Sequence, residues 1–191
     1  MTTTIQDNEK PMVCIGLTNP KSPTNVGAVM RAAGCFNVDK VFFTGRRYEQ
    51  AAQFNKGSLK TDTKNAQNTI PLVKVDDFES IVALREKIPS TIKIVCVDLV
   101  EGAMALPHFN HPQQALYIFG PEDGTIKQTM IDSADDVVYV PTEGCMNLAA
   151  SVNVILYDRL SKLATETVSG LTDNALIRRS RDTNNKVKVK L

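Results

Sequence analysis

Apolar runs and helical repeats alternate along the 191-residue chain. The apolar runs are short and rich in Val, Ile and Leu, which is typical of strands buried on both faces of a sheet. They predict five strands, at residues 13–17, 38–44, 92–99, 115–119 and 136–140. Apolar residues at helical spacing predict helices at residues 26–36, from 76 or 77 to 87, at 126–133 and at 148–163. This alternation predicts an α/β fold with a mostly parallel sheet covered by helices on both faces.

The remaining segments are less regular. Residues 46–68 are polar and basic, with helical pieces, and residues 101–114 are expected to form a loop because Pro107 and Pro112 interrupt a helix. The first residues lack the apolar core of a signal peptide, and no apolar run is long enough to cross a membrane. We expect a flexible N-terminus, one domain and a basic C-terminal tail, at residues 1–10, 11–164 and 165–191.

Charge adds one local feature to this picture. The formal net charge is +1, so no strong overall field draws the protein to nucleic acid, and any such contact must come from a local patch. Residues 178–190 offer one, because Asp182 is the single acidic residue in that stretch. The basic residues there are Arg178, Arg179, Arg181, Lys186, Lys188 and Lys190.

Cysteine and histidine usage indicates neither a disulfide framework nor a metal site. The four cysteines are scattered without a CxxC pair, at Cys14, Cys35, Cys96 and Cys145. This pattern fits a reducing cytosol, and we expect a cytoplasmic protein. Cys145 is not expected to be a nucleophile, because no His lies near it in the sequence. His108 and His111 have no companion carboxylate or Cys cluster, so we expect no metal there.

The first candidate site follows strand 13–17, where parallel sheets bind ligands beyond the carboxyl ends of their strands. It covers residues 19–27 and Arg31. Asn25 can cap the following helix, whose N-terminus favours anions such as RNA phosphate. Arg31 lies four residues after Gly27, on the same helix face. Taken alone, the segment is better explained by a helix cap and a surface arginine than by a binding site.

Two further segments follow strands in the same way. In residues 119–124, Gly120 leaves space for a ligand against the backbone and Glu122 places a carboxylate at the sheet edge, although a tight turn explains the same residues. Residues 140–148 run into the last helix. Asn147 either caps that helix or bonds across to another loop.

A basic run follows the second strand. Arg46, Arg47, Lys56, Lys60 and Lys64 surround two aromatic residues, Tyr48 and Phe54. The run could contact RNA phosphates and stack a base, or it could form a solvated helical face. Neither a dinucleotide GxGxxG nor a GxxxxGK phosphate loop occurs, which disfavours a nucleotide-binding oxidoreductase.

Taken in order, the three segments resemble the three motifs of the SpoU/TrmH-type family of SPOUT RNA methyltransferases. The first motif is carried by Pro23-Thr24-Asn25-Val26-Gly27 with Arg31, and the second by Ile118-Phe119-Gly120-Pro121-Glu122 with Gly124. The third is carried by Val140-Pro141, Met146-Asn147-Leu148 and Tyr157-Asp158. The resemblance spans residues 12–163.

The resemblance implies a deep trefoil knot in the C-terminal half of the fold and S-adenosylmethionine bent among the knot loops. It implies that two subunits complete each site, so a homodimer is expected. By the same resemblance, the cofactor is held around Asp98, Leu99, Gly120, Val140, Cys145 and Leu148.

The activity that the resemblance implies is transfer of a methyl group to a ribose 2′-hydroxyl of RNA. We expect tRNA rather than rRNA, since the chain is similar to minimal members without a separate RNA-binding domain. No metal is required and no membrane is involved. The expected catalytic residues are Arg31, Asn25, Glu122 and Asn147. The expected RNA-binding residues are Arg46, Arg47, Lys56 and Lys60.

Four departures from the family pattern leave an alternative open. Cys145 and Ala149 stand where the family usually has Ser, Thr125 stands where Leu is usual, and the loop at residues 141–145 is short. That loop faces the RNA in relatives. The alternative is a non-catalytic RNA-binding or assembly protein with the same knotted fold.

Overall fold

A computed structural model gives the fold and describes residues 11–54, 66–78, 84, 87–167, 174–182 and 184–189. Within these residues the strands are β1 (Val13–Leu17), β2 (Lys40–Phe43), β3 (Leu72–Lys74), β4 (Lys93–Val97), β5 (Met104–Ala105), β6 (Ala115–Phe119) and β7 (Asp136–Tyr139). Two single 3-10 turns lie at Ala66–Asn68 and Leu106–His108. The helices are α1 (Pro23–Cys35), α2 (Arg47–Phe54), α3 (Gln128–Ser133), α4 (Leu148–Thr167) and α5 (Asn174–Ser180).

The strands form one sheet in the order β3-β2-β1-β6-β4-β7-β5. Every pairing among the described strands is parallel, so the carboxyl ends of β1, β6, β4 and β7 lie side by side at one edge. The predicted α/β class with a parallel sheet is confirmed. The trefoil knot stays a prediction from the family.

Both faces of the sheet are buried, which explains the unbroken apolar runs in the sequence. In β6, Tyr117 and Phe119 pack into a core that includes α1 and α4. Leu116 and Ile118 face a second core on the opposite side, which includes Met130 of α3. A strand with both faces buried needs apolar residues at successive positions rather than at alternate ones.

Two strands were missing from the sequence prediction, and both are short. β3 has three residues and β5 has two, and they form the two edges of the sheet. Their side chains are half-buried or exposed, so no apolar run marks them. The segment at 101–114, predicted to be a loop, contains β5 and a 3-10 turn.

The helices also differ from their predicted limits. Asn25 does not cap α1; Ser22 does, because its hydroxyl accepts the backbone N–H of Asn25 at 3.3 Å and Pro23 begins the helix. Gly27 of α1 is buried whereas Arg31 is exposed, so they do not share an environment. α4 continues to Thr167, beyond the predicted end at 163. Most of the predicted helix ending at 87 lies outside the described residues.

A buried polar cluster joins α4 to the segment before β6. His111 Nε2 donates to Asp158 at 2.8 Å, which leaves Nδ1 to accept the Tyr117 hydroxyl at 2.6 Å. Arg159 donates to that hydroxyl at 3.3 Å and to two carbonyls of the chain near His111. Both ring nitrogens of His111 are thus occupied. Among the described residues, no group of three or more His, Cys, Asp or Glu is placed to hold a metal ion.

The free energy of unfolding is expected to fall as the pH drops below about 6.5, the ordinary pKa of a His side chain. Burial lowers the pKa of His111, and its hydrogen bond to Asp158 opposes that effect only in part. The unfolded chain therefore takes up a proton before the folded chain does, and the loss reaches at most about 1.4 kcal/mol per pH unit. Urea unfolding at a series of pH values measures this. His111→Gln is expected to flatten the dependence, and an unchanged slope in that variant would contradict the assignment.

Within the part of the chain that is described, no helix is both long enough and apolar enough to cross a bilayer.

Candidate active site

Glu122 ties the loop after β6 to the start of α1. Its Oε2 accepts the backbone N–H of Lys21 at 2.8 Å and of Ser22 at 3.2 Å. Its Oε1 accepts the side-chain amide of Asn25. Because both oxygens accept hydrogen bonds, the carboxylate holds the loop after β6 against the start of α1.

Asn147 extends this connection to the loop after β7. Its Nδ2 donates to Asn25 Oδ1 at 3.0 Å, while its Oδ1 accepts the backbone N–H of Ala149 at 2.9 Å and, more weakly, of Ala150 at 3.4 Å. The two interpretations of Asn147 from the sequence, helix cap and cross-loop contact, are therefore both correct. A single chain of hydrogen bonds joins the three motif segments.

A cleft opens beside this chain of bonds, at the carboxyl ends of β4, β6 and β7. It is lined by fourteen residues, which include all six that were expected to hold a cofactor: Asp98, Leu99, Gly120, Val140, Cys145 and Leu148. Half-buried and exposed side chains and loop backbone make up most of its wall.

Asp98 and Gly120 form the tightest part of the cleft. Asp98 Oδ2 accepts the backbone N–H of Ile126 at 2.8 Å, and its Oδ1 accepts the N–H of Leu99 at 2.8 Å. A Cβ atom on Gly120 would lie 2.9 Å from Asp98 Oδ2 and 3.4 Å from Ile126 N. The absence of a side chain at Gly120 therefore allows the backbone just after β6 to approach this carboxylate.

Arg31 is not brought to the cleft of its own chain. It lies on the exposed side of α1, and it is not among the residues that line the cleft. No hydrogen bond or ion pair joins its guanidinium to any residue that the structure describes, Glu122 included. Of the four expected catalytic residues, Glu122 and Asn147 both bond to Asn25, and Arg31 is apart.

Arg47, in the basic run after β2, forms an ion pair within the fold. Its guanidinium pairs in a bidentate manner with Asp123, at 2.7 and 2.8 Å. These hydrogen bonds raise the pKa of Arg47 and lower that of Asp123. Arg46 is exposed, whereas the ring of Tyr48 packs edge-on against Phe43 rather than standing free for a base. Lys56, Lys60 and Lys64 lie outside the described residues.

The sequence matches one family model over most of its length. Residues 12–157 match the SpoU rRNA Methylase family. The chain belongs to this family. The match includes all three motif segments, and the predicted resemblance is confirmed. None of the curated proteins matches the chain.

Several solved structures share this fold and are distant in sequence. The SpoU methyltransferase AviRb from Streptomyces viridochromogenes, in complex with AdoMet, is 18% identical with a TM-score of 0.66, over 82% of this chain and 59% of that one. The A. aeolicus TrmH/SpoU tRNA modifying enzyme is 16% identical with a TM-score of 0.66, over 82% and 77%. This SpoU-family chain thus spans less than two thirds of AviRb.

A third structure is nearly the same size as the matched region. It concerns 2-OH methylation on tRNA, is 18% identical and has a TM-score of 0.66. The match covers 82% of this chain and 99% of that one. That protein therefore consists almost entirely of the region that matches this SpoU-family chain.

Several lining residues of the SpoU-family cleft were not singled out from the sequence. They include Thr142, in the loop of the third motif segment, and Ser151, one helical turn beyond Asn147. The spacing of Ser151 from Asn147 could have indicated it, since residues four apart on a helix share a face. Thr142 also fixes its own loop, because its hydroxyl donates to the carbonyl of Gly144 at 2.9 Å.

A second surface of the SpoU-family chain is an apolar groove between α1, α4 and the loop after β7. We call it the α4 groove; its lining residues include Phe36, Leu106, Val140, Val154 and Tyr157. Tyr157 is 65% exposed, which is unusual for a large aromatic residue. Val140 lines both the α4 groove and the cleft, so the two surfaces adjoin.

Proposed function

We propose that this protein transfers a methyl group from S-adenosylmethionine to the 2′-hydroxyl of a ribose in tRNA. The observation that carries the proposal is a cleft lined by the second and third motif segments and tied to the first through Glu122 and Asn147. Two similar structures support it: one holds AdoMet, and the other, almost fully matched in length, concerns 2-OH methylation on tRNA.

The cleft suits a nucleoside cofactor. Leu99, Val140 and Leu148 offer apolar walls, while the loop backbone around Gly120 and Cys145 supplies donors and acceptors. The absence of a side chain at Gly120 keeps the cleft open against Asp98. Because Cys145 would contribute main-chain groups, its departure from the usual Ser does not remove these contacts, and Ala149 is not among the lining residues.

The cofactor and the side chains of the protein would contribute different parts of the chemistry. Bound S-adenosylmethionine would supply an electrophilic methyl group on its sulfonium. Arg31 is proposed to orient the phosphate and hydroxyl of the RNA and to stabilise the negative charge that develops on the oxygen. A guanidinium stays protonated in proteins, so Arg31 is not the base. The 2′-hydroxyl would release its proton to water as its oxygen takes the methyl group, with S-adenosylhomocysteine as the leaving group. Glu122, Asn25 and Asn147 hold the loops that shape the site.

We propose a homodimer in which Arg31 of one subunit completes the cleft of the other. Arg31 is exposed and lies away from the cleft of its own chain. The α4 groove adjoins that cleft through Val140, so a second copy seated on the α4 groove would border the cofactor. Two-fold interfaces place the same patch of each subunit together, which makes both sites complete at once.

Tyr157→Glu is expected to convert the dimer to a monomer and to reduce methyl transfer more than about 100-fold, because a charge in a desolvated interface is strongly unfavourable. Analytical ultracentrifugation gives the oligomeric state. Tyr157→Phe, which keeps the apolar ring, is the matched control and is expected to remain dimeric. A fully active Tyr157→Glu monomer would refute the shared site.

Cofactor is expected to protect Cys145 from alkylation. Cys145 is exposed and lines the cleft, whereas Cys35 is exposed and is not among the lining residues. Cys14 and Cys96 are buried, and burial raises the pKa of each thiol to about 12, so both stay unreactive. Saturating S-adenosylmethionine should slow maleimide labelling of Cys145 at least about tenfold, read by peptide mass spectrometry. Equal labelling of Cys145 with and without cofactor would place the cofactor elsewhere, and Cys35 is the internal control.

Calorimetric titration of the purified protein with S-adenosylmethionine tests the cofactor directly. We expect one site per subunit with a Kd near ~10 μM, equivalent to ~7 kcal/mol. Absence of binding by folded, ligand-free protein would favour the non-catalytic alternative, since the altered third motif would then have lost the cofactor.

A further inference from the structure

Positive charge is divided unequally between the domain, at residues 11–164, and residues 174–191, the basic part of the predicted C-terminal segment. Residues 174–191 contain six of the 22 basic and one of the 21 acidic residues, which gives them a formal charge of +5. The other 173 residues are left with a formal charge of −4. The domain itself, at residues 11–164, has 15 basic and 16 acidic residues and a formal charge of −1. A domain so close to neutral has no overall field that attracts the phosphates of RNA.

Basic side chains of the domain are also engaged within the fold. Arg47 pairs with Asp123, Lys74 with Glu49, and Lys93 with Asp135. Arg159 and Lys162 donate to backbone carbonyls around the buried polar cluster. These five of the domain's 15 basic side chains already have partners within the fold, so they are not available to meet a polyanion.

The tail has the opposite character. Arg178 and Arg179 of α5 are exposed, as are Lys186 and Lys188 beyond it, and Arg181 is half-buried. No hydrogen bond or ion pair joins any of these five side chains to another residue in the described part of the chain. No residue of α5 is buried, so the helix contributes nothing to the described core.

The tail also stands outside the part of the chain that defines the family, since the family match ends at residue 157. It is not required to form the cleft, because none of the fourteen lining residues comes from it. A dense, unpaired set of cations on such a segment needs a polyanionic partner to explain it.

We propose that the tail, defined as residues 174–191, is the main electrostatic anchor for RNA and binds its phosphate backbone without sequence preference. The inference rests on the proposed function, because it takes RNA as the partner of the domain. The tail would hold RNA near a domain whose own charge is close to neutral, while the cleft and its motif loops select the nucleotide. Phosphate contacts position a nucleic acid and base contacts specify it.

The test compares the full chain with a variant in which Arg178, Arg179, Arg181, Lys186 and Lys188 are all glutamine. Fluorescence anisotropy with bulk tRNA and with oligouridine is measured between about 50 mM and 200 mM salt. The variant is expected to bind both RNAs at least about tenfold more weakly. Its slope of log K against log salt is expected to be shallower by about 3 to 4, as five lost phosphate contacts require.

Two control variants separate charge from fold. Arg178→Lys, Arg179→Lys and Arg181→Lys together keep the charge and should bind RNA within about threefold of the original chain, because backbone binding depends on charge rather than on guanidinium geometry. Val187→Thr with Val189→Thr changes the exposed apolar residues of the tail and should leave binding unchanged. Loss of binding in either control would overturn the electrostatic account.

The outcome for the tail is independent of the outcome for the enzyme. Unchanged RNA binding and salt slope in the five-glutamine variant would overturn the tail proposal even if methyl transfer occurs. Weaker binding in that variant supports the proposal even if no RNA is methylated. Binding to vesicles of neutral and of anionic phospholipid is measured in the same way. If the tail is needed for binding to anionic vesicles but not for binding to RNA, the partner is a membrane surface and the proposal is overturned.

Discussion

Replacing Arg31 with alanine is expected to lower kcat for RNA methylation about a thousandfold and to leave the Kd for S-adenosylmethionine within about twofold, as for removal of a preorganised oxyanion donor. The guanidinium is exposed and has no partner among the described residues, so its removal leaves no buried group unsatisfied. The free energy of unfolding should therefore hardly change. Single-turnover kinetics and cofactor titration measure the two effects separately.

Arg31→Lys is the matched control for Arg31→Ala. It keeps a positive charge but loses the planar pair of donors that holds phosphate and hydroxyl together. We expect it to retain more activity than Arg31→Ala and less than the original protein. Full activity in the alanine variant would show that Arg31 does not touch the reacting groups.

Gly120→Val is expected to abolish detectable cofactor binding, with a Kd at least about 100-fold higher. A Cβ at this position already lies 2.9 Å from Asp98 Oδ2, and the two further methyl groups would project into the cleft or against Ile126. Asp98 would have to move, which breaks its hydrogen bond to the Ile126 N–H. Calorimetry gives the affinity and thermal unfolding shows whether the fold survives.

Gly120→Ala provides a graded comparison. It makes the same close contact with Asp98 but adds no branches, so its affinity should fall between those of Gly120→Val and the original chain. Normal cofactor affinity in Gly120→Val would mean that the cofactor does not pass this part of the cleft.

Mixed dimers of the two variants test whether Arg31 acts across the interface. Subunits carrying Arg31→Ala and Gly120→Val are inactive alone, but half of randomly mixed dimers contain one of each. If Arg31 serves the partner's cleft, each such dimer has one intact site, and activity returns to about one quarter of the original. No recovery would place Arg31 in its own subunit's site.

The central strands were predictable from the sequence because burial on both faces leaves an unbroken apolar run. β1 and β6 match their predicted limits, and β2, β4 and β7 lie within theirs. The edge strands β3 and β5 could not be found in the same way, because their few residues are not buried and their position depends on pairing with distant β2 and β7.

At the site, the residues that line the cleft were easier to predict from the sequence than the hydrogen bonds and ion pairs around them. All six expected cofactor residues line it because they follow parallel strands whose ends meet at one edge. The Ser22 cap depends on where Pro23 starts the helix, one of several possible starts in a polar segment. The pairing of Arg47 with Asp123 joins residues 76 positions apart, which no local pattern reveals.

The most direct test of the central claim is nucleoside analysis after reaction with labelled cofactor. Purified protein is incubated with tRNA and S-adenosylmethionine carrying a labelled methyl group, and the RNA is digested to nucleosides for mass spectrometry. We predict label on a 2′-O-methylated nucleoside that is absent with Arg31→Ala. Label on a base, or none on tRNA or rRNA from a protein that binds the cofactor, would contradict the proposed reaction.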